Sequence, residues 1–420
     1  METRSKHDGF LILLTLCWAT TITVLRALRW PCDWAEAHWL VDYRFGFIKR
    51  GLVGTLFSPF TGQNPVLAIK IASTSLLLLF CISLVWVSIR IARMCKSDIE
   101  SVSLGLIFLT SPYVVMSSHL NGYYDNIVVV LSVLACRLIS LNRIVLGSLV
   151  VSVGILVHET MFVVGFPGVL FFALLQNVRP DEPADVIHLF LGFLSRFKLL
   201  IFLPIAVYFC ILLNQTVFLE PEVVRLQLVS HLSQFDFLQF KRHLVVPKAL
   251  THSLVKYFVS ESPSFMSRIT DRIYVMQIGI PLCGLLFIGF RRLKAVGYRS
   301  LFLVLVAISL FPLLIHLVAW DTSRIWTYPL IAAFIGVWGI IEAHSKAHVG
   351  DDSSLLFLVV AVMITMFNVF VSTPLMDDET DRFSIHDRIL LYLPSLVLFC
   401  GLMGKHYFLK RRLPLCGCCT

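Results

Sequence analysis

Charge is scarce in this sequence. Only 15% of the 420 residues are Asp, Glu, Lys or Arg, whereas 57% are hydrophobic. A soluble chain of this size cannot hide that much apolar surface, so the bilayer is its natural solvent. Strict alternation of apolar and polar residues is missing too. The apolar runs are continuous, which excludes a β-barrel and leaves helices to satisfy the backbone in lipid. Low-complexity tracts and internal repeats are absent. A small-residue cleavage site is lacking after "FLILLTLCWATTITVL", so this stretch reads as a first span and not as a cleaved leader.

Acidic residues are outnumbered, giving a formal charge of +9. No nucleic-acid-binding module accompanies that charge, so nucleic acid is not an expected partner. Basic loops meeting anionic lipid heads account for it instead. Of the eleven cysteines only Cys32 falls clearly outside the membrane in the topology below, and no disulfide framework is expected. The tail "CGCC" (Cys416, Cys418, Cys419) is open to acylation or is simply a reduced cytoplasmic tail.

The expected fold is all-α, a polytopic bundle forming one integral membrane domain over 1–420. The predicted spans are 9–26, 66–89, 102–117, 125–141, 144–158, 161–176, 199–214, 273–290, 301–318, 325–341, 354–371 and 389–403. This divides the chain into N-terminal helices (9–214), an outer loop (215–272), C-terminal helices (273–403) and a basic cytoplasmic tail (404–420). Lys and Arg crowd alternate loops, among them Arg90, Arg93 and Lys96, then Arg291, Arg292, Lys294 and Arg299. The intervening short loops hold only Arg324, Arg382 and Arg388. The positive-inside rule therefore puts both termini in the cytoplasm. In the outer loop, "VVRLQLVSHLSQFDFLQFKRHLVV" reads as an amphipathic interfacial helix or a re-entrant lid. "NQT" at 214–216 matches a glycosylation sequon but abuts the membrane.

Five separated segments place ionisable groups at the outer face. They are "DWAEAHWLVDYRFGFIKRG", "SSHLNGYYDN", "HET", "HLVAWDTSRIW" and "DDETDRFSIHDR". Glu36, His38 and the Asp377–Arg388 loop read as solvated caps and tips. His158–Glu159 resists that reading, because a Glu inside an apolar run needs a partner or a wet cavity. Asp321 and Arg324 are spaced i,i+3 and can pair across one helical turn. "HE" at 158–159 is not a zinc-protease motif, since position 162 is Phe where the second His of HExxH would stand.

A face bearing Asp, Glu, His, Lys and Arg suits a charged lipid-linked substrate. Arg and Lys hold phosphate, and a carboxylate activates an acceptor hydroxyl. The stretch "LVDYRFGFIKRGLVG" supplies Asp42 as a candidate base and Arg44, Lys49 and Arg50 as phosphate-binding groups. Its plain alternative is an interface anchor with snorkelling basic residues.

The layout over residues 9–180 resembles the GT-C-type membrane glycosyltransferases, which use polyprenyl-phosphate sugars. In that family an essential acid follows the first span, a position held here by Asp33 and Asp42. A Gly-x-x-Asp segment leads into an apolar helix, as in "NGYYDNIVVVLSVLACRLI" with Gly122 and Asp125. The segment "AWDTSRIW" and the many-span layout also resemble envelope polysaccharide polymerases. The resemblance implies sugar transfer from a lipid-phosphate donor to a glycan or lipid acceptor, outside the bacterial inner membrane. Asp42 would be the catalytic acid, with Asp33 as the alternative. Arg44, Lys49, Arg50 and Arg324 would bind phosphate. Asp125, His158, Glu159 and Asp321 would bind sugar or an optional Mg²⁺ or Mn²⁺, no cofactor being required. Two other function classes are compatible with these residues: an ion-coupled transporter using Asp125, Glu159 or Asp321, and a scaffold subunit whose charges are structural.

Overall fold

A computed structural model describes residues 6–94, 98–178, 186–344, 354–376 and 379–412. The tail cysteines Cys416, Cys418 and Cys419, the basic residues Arg4, Lys96, Arg179 and Lys346, and Asp377 lie outside the described residues. The described chain is all-helical apart from a single isolated β-bridge between Pro374 and Thr380.

In chain order the helices are α1 (Lys6–Leu25), α2 (Asp33–Trp39), α3 (Gly51–Phe57), α4 (Pro65–Met94), α5 (Asp98–Leu109), α6 (Pro112–His119), α7 (Asp125–Ser140), α8 (Ile144–Val157) and α9 (Phe166–Leu175). There follow α10 (Val186–Leu213), α11 (Pro221–Leu232), α12 (Phe240–Thr251), α13 (Leu254–Glu261), α14 (Phe265–Ile269), α15 (Arg272–Ala295), α16 (Leu301–Leu310), α17 (Thr322–Ala343), α18 (Ser354–Phe370) and α19 (Ile385–Arg412). A π-turn (Met161–Gly165) leads into α9, and a 3₁₀ segment (Phe311–Leu317) extends α16.

Each of the twelve apolar runs read from sequence is helical. Among the described residues five helices are long and apolar enough to cross a membrane, and α5 with α6 makes a sixth if that bent pair counts as one span. The break between α5 and α6, at Ser111–Pro112, bends the pair by 44°. Proline at the first position of α6 explains it, because the ring removes an amide donor and clashes with the preceding turn. The runs at 144–158, 161–176, 301–318 and 354–371 form shorter apolar helices that do not reach that length. The chain thus has the composition and helices of an integral membrane protein.

The bundle is organised around α17, which is 94% buried along its apolar window. Its sequence is apolar on every side, which is what a central helix requires. Close neighbours reach it at two glycines. A Cβ on Gly339 would stand 3.1 Å from Leu175 and Phe172, and one on Gly336 would stand 2.4 Å from Leu305. One apolar core runs from Ile12 in α1 to Phe399 in α19. A second core joins the first loop (Trp39, Val41, Ile48, Val53) to α11 and α12 (Leu228, Val246). The segment 215–272 is therefore packed on the first loop. It is also not one amphipathic helix: α11 and α12 are separate, broken at Ser233–Gln239.

Ion pairs fasten both ends of the bundle. At one end Arg90 pairs with Glu342 and Arg292 with Glu100. At the other, Arg26 at the end of α1 is fully buried. It donates to Asp381 and to the carbonyls of Asn368 (2.9 Å) and Val371 (3.0 Å). Arg388 approaches the same Asp381 carboxylate at 3.6 Å. This corrects the reading of the 377–388 loop as a solvated tip: Asp381 and Arg388 are buried, because Arg26 is itself buried and must be neutralised.

Asp381→Asn should remove roughly 3–5 kcal/mol of stability, because two buried guanidinium groups lose their counter-charge. Asp236→Asn, at an exposed position in the turn between α11 and α12, should change stability by less than about 0.5 kcal/mol. Thermal unfolding of both variants in detergent, followed by intrinsic fluorescence, measures the difference.

Candidate functional site

The first loop, 26–64, owes its shape to two local constraints. At Gly54 a Cβ would lie 1.9 Å from the Val41 carbonyl oxygen, so only glycine allows α3 to approach the strand-like segment at Val41–Asp42. Arg50 takes a left-handed conformation (φ 62°), which costs roughly 1–2 kcal/mol for a residue with a side chain. That turn starts α3 and aims Arg50 inward, where its contacts offset the cost.

Arg50 meets the acid of "HET". Its Nε and Nη2 donate to Glu159 at 3.1 and 2.5 Å, a two-point contact between residues 109 apart in the chain. Its Nη1 lies 3.3 Å from Nε2 of His38. His38 donates from Nδ1 to the Trp34 carbonyl (2.8 Å), so Nε2 is free to accept from Arg50. Burial, then Arg50, push the His38 pKa down to about 3, keeping the ring neutral. The reading of His38 as a solvated cap is therefore corrected, and Glu36 is buried as well.

A second knot forms around Arg324, at the start of α17. Its Nη2 donates to Asp125 (3.0 Å), its Nη1 to Asp321 (3.1 Å) and its Nε to the Tyr328 hydroxyl (2.7 Å). Tyr328 in turn donates to Asp125. His158 bridges the two knots. Its Nδ1 accepts from the Thr160 amide (3.0 Å), and its Nε2 stands 3.4 Å from Arg324 Nη2.

Both knots face one cavity of about 340 Å³ at the loop end of the bundle. The first loop contributes Cys32, Trp34, Lys49 and Arg50, and the α8–π-turn junction contributes His158, Glu159 and Thr160. Tyr208, Ile211 and Gln215 come from α10 and the turn after it, Lys241 and Arg242 from α12, and Leu254 and Tyr257 from α13. Trp320, Asp321, Arg324 and Tyr328 complete the far wall. Five cationic side chains thus face two carboxylates on the lining. Asp125 stands immediately behind Arg324, and Asp33 behind Arg242 at 3.0 Å.

Six of the ten residues predicted from sequence line this cavity: Lys49, Arg50, His158, Glu159, Asp321 and Arg324. Asp125 and Asp33 support it from one residue back. Asp42 and Arg44 are not on the lining. Both Asp42 oxygens receive the Arg44 guanidinium, with contacts of 2.7–2.9 Å, and Oδ1 also accepts the Arg44 amide, capping a short 3₁₀ turn. The Asp42 carboxyl is held below the usual range despite burial, because Arg44 outweighs it. This carboxylate shapes the loop.

Sequence reasoning missed Lys241 and Arg242 as site residues. "FKRH" looked like the polar face of an interfacial helix, and no spacing rule ties Arg242 to Asp33, 209 residues away. Asn214, in the sequon, donates to the Phe47 carbonyl (2.6 Å) and sits in a π-turn at the end of α10.

Lys49 donates to the His252 carbonyl (2.9 Å) and lies 5.2 Å from the Tyr257 ring centre. Burial, only partly opposed by Glu159, lowers its pKa from 10.5 to about 8. Its ammonium is therefore lost as pH rises through about 8. By linkage this group makes the fold gain stability between pH 8 and 10.5, where the unfolded chain binds more protons. Acetylation of Lys49 against pH, read by mass spectrometry, should show a midpoint near 8, whereas exposed lysines should follow about 10.4. Comparison with protein-family models, with curated proteins and with solved structures gives no match.

Proposed function

We propose that this protein is a membrane glycosyltransferase that moves a sugar from a lipid-phosphate carrier to a glycan or lipid acceptor. In this reading the chain crosses a bacterial plasma membrane twelve times with both termini in the cytoplasm. The cavity then opens on the extracytoplasmic side, in cell-envelope glycan synthesis. The supporting observation is the cavity's double character: an excess of Lys and Arg set among apolar side chains such as Val163, Ile211, Val245 and Ile315. A phosphate with a hydrocarbon tail matches both halves. The GT-C likeness of residues 9–180 agrees with it.

The chemistry follows from which acid is most basic. Glu159 is bound at two points by Arg50, and its pKa lies well below normal, Arg50 outweighing burial. Asp321 accepts from Arg324 through Oδ2 alone, and its Oδ1 is buried with no hydrogen-bond partner. Burial pushes its carboxyl up. Asp321 is therefore the general base of this proposal, in place of Asp42. An acceptor hydroxyl gives its proton to Asp321 as its oxygen bonds to the anomeric carbon. The bond from that carbon to the phosphate oxygen breaks, and the lipid phosphate leaves with the electron pair, held by Lys49 and Arg50. Trp34 and Trp320 offer flat apolar faces for the sugar. Mg²⁺ or Mn²⁺ brought by a phosphate substrate would meet the Asp321 carboxylate on the lining and would add positive charge at the leaving group.

Asp321→Asn should lower turnover by roughly 10²–10⁴-fold with normal membrane abundance. Asp42→Asn should keep the site chemistry. The assay is sugar transfer by purified protein in vesicles, supplied with a panel of polyprenyl-phosphate sugars. Transfer unaffected by Asp321→Asn refutes the assignment of the base. Ion-coupled solute uptake lost in that variant, with no transfer by the parent protein, refutes the transferase.

A further inference from the structure

The helix α13 has two unlike faces. Leu254 and Tyr257 line the cavity. Val255, Phe258 and Val259 point the other way and are exposed, Val259 by 68%. None of the residues of α13 is buried. Ser253 caps the helix by accepting the Lys256 amide, and Lys256 projects on a different side from the apolar residues.

The neighbouring walls share this construction. In α10, Tyr208, Ile211 and Leu212 line the cavity, while Phe209 and Leu213 are exposed. In the 3₁₀ segment after α16, Ile315 lines it, while Phe311 and Leu314 are exposed. The clamp between these elements is specific. Arg268, in α14, pairs with Glu261 and donates to the Ala319 carbonyl (3.0 Å), and Trp326 donates to the Arg268 carbonyl (2.9 Å). The clamp holds α13 beside the α16 extension, an apolar helix of membrane-like composition, and α13, α10 and that extension each turn one face to the same cavity and an apolar face outward. Three large apolar side chains in eight residues are costly in water, at roughly 1.5–3 kcal/mol each.

We propose that α13 lies within the acyl chains of the bilayer leaflet at the cavity's end, as a re-entrant wall one helix thick. Its partner is phospholipid: Val255, Phe258 and Val259 contact the chains, and Lys256 reaches the headgroups. This wall, together with α10 and the α16 extension, then separates the polar cavity from the leaflet, and a lipid-tailed ligand reaches the cavity past α13 without crossing water. The inference depends on the fold and the cavity, and stands whether or not the chain transfers sugars.

The test uses the full chain reconstituted in phosphatidylcholine–phosphatidylglycerol vesicles. A small fluorescent amino acid is introduced by codon reassignment at 259 or at 256, with Phe202 in α10 as the lipid-facing reference; positions 259 and 202 are exposed, and folding is checked by thermal unfolding. Phospholipids brominated on the acyl chain should quench the probe at 259 at least threefold more than the probe at 256, and as strongly as the probe at 202. Aqueous iodide should show the reverse order. Equal quenching at 259 and 256, or a probe at 259 quenched by iodide alone, overturns the proposal. A probe at 259 shielded from both quenchers also overturns it, because a second copy or another protein then covers the face.

Discussion

A buried guanidinium in a membrane protein must find negative charge nearby, and here that demand brings distant segments together. Arg50 comes from the first loop and Glu159 from the α8 junction, and Arg324 gathers Asp125 and Asp321. Leaving any of these groups alone in a low-dielectric bundle would cost several kcal/mol, so the charges specify which helix ends lie side by side. Hydrophobic packing cannot do this in lipid, where one apolar face fits another about equally well. The same constraint operates at Arg26, whose burial draws Asp381 and Arg388 inward from the last loop.

The two kinds of pairing differ in what surrounds them. At Arg26 every donor is used, three of its contacts being to fixed carbonyl or carboxylate oxygens of α18 and the loop after it. Around the cavity, acceptors and cations remain. Lys49 holds only a backbone carbonyl and a ring face, and one oxygen each of Asp125 and Asp321 stands unpartnered. The Arg26 knot likewise leaves one oxygen of Asp381 and one nitrogen of Arg388 without a hydrogen bond, so leftover polar atoms alone do not set the cavity apart. Its lining does: five cationic side chains and two carboxylates share one surface with apolar side chains.

Much of this was readable in the sequence, and for definable reasons. Continuous apolar runs identified the helices, because membrane solvation leaves the chain few other choices. Glu159 stood out because no loop surrounds it, and Asp321–Arg324 because their spacing fits one helical turn. Asp42 misled for an equally physical reason: its partner Arg44 is two residues away, and a local cap has the same composition as a reactive loop. Arg242 and His38 were illegible as site residues, since their roles arise from contacts with Asp33 and Arg50 that only the packed chain creates. The helices of 215–272 were half legible. Their amphipathic character shows in the sequence, whereas their docking on the first loop depends on Leu228 and Val246 meeting Trp39 and Val41.

The helix α17 carries Arg324 at one end and Glu342 near the other, with Gly336 and Gly339 locked against Leu305 and Phe172 between them. Turning or sliding this axle would drive neighbouring side chains into its backbone. It therefore behaves as a stator. Any change in the shape of the chamber then falls to the thinner peripheral elements that line it, while the centre of the molecule keeps its register.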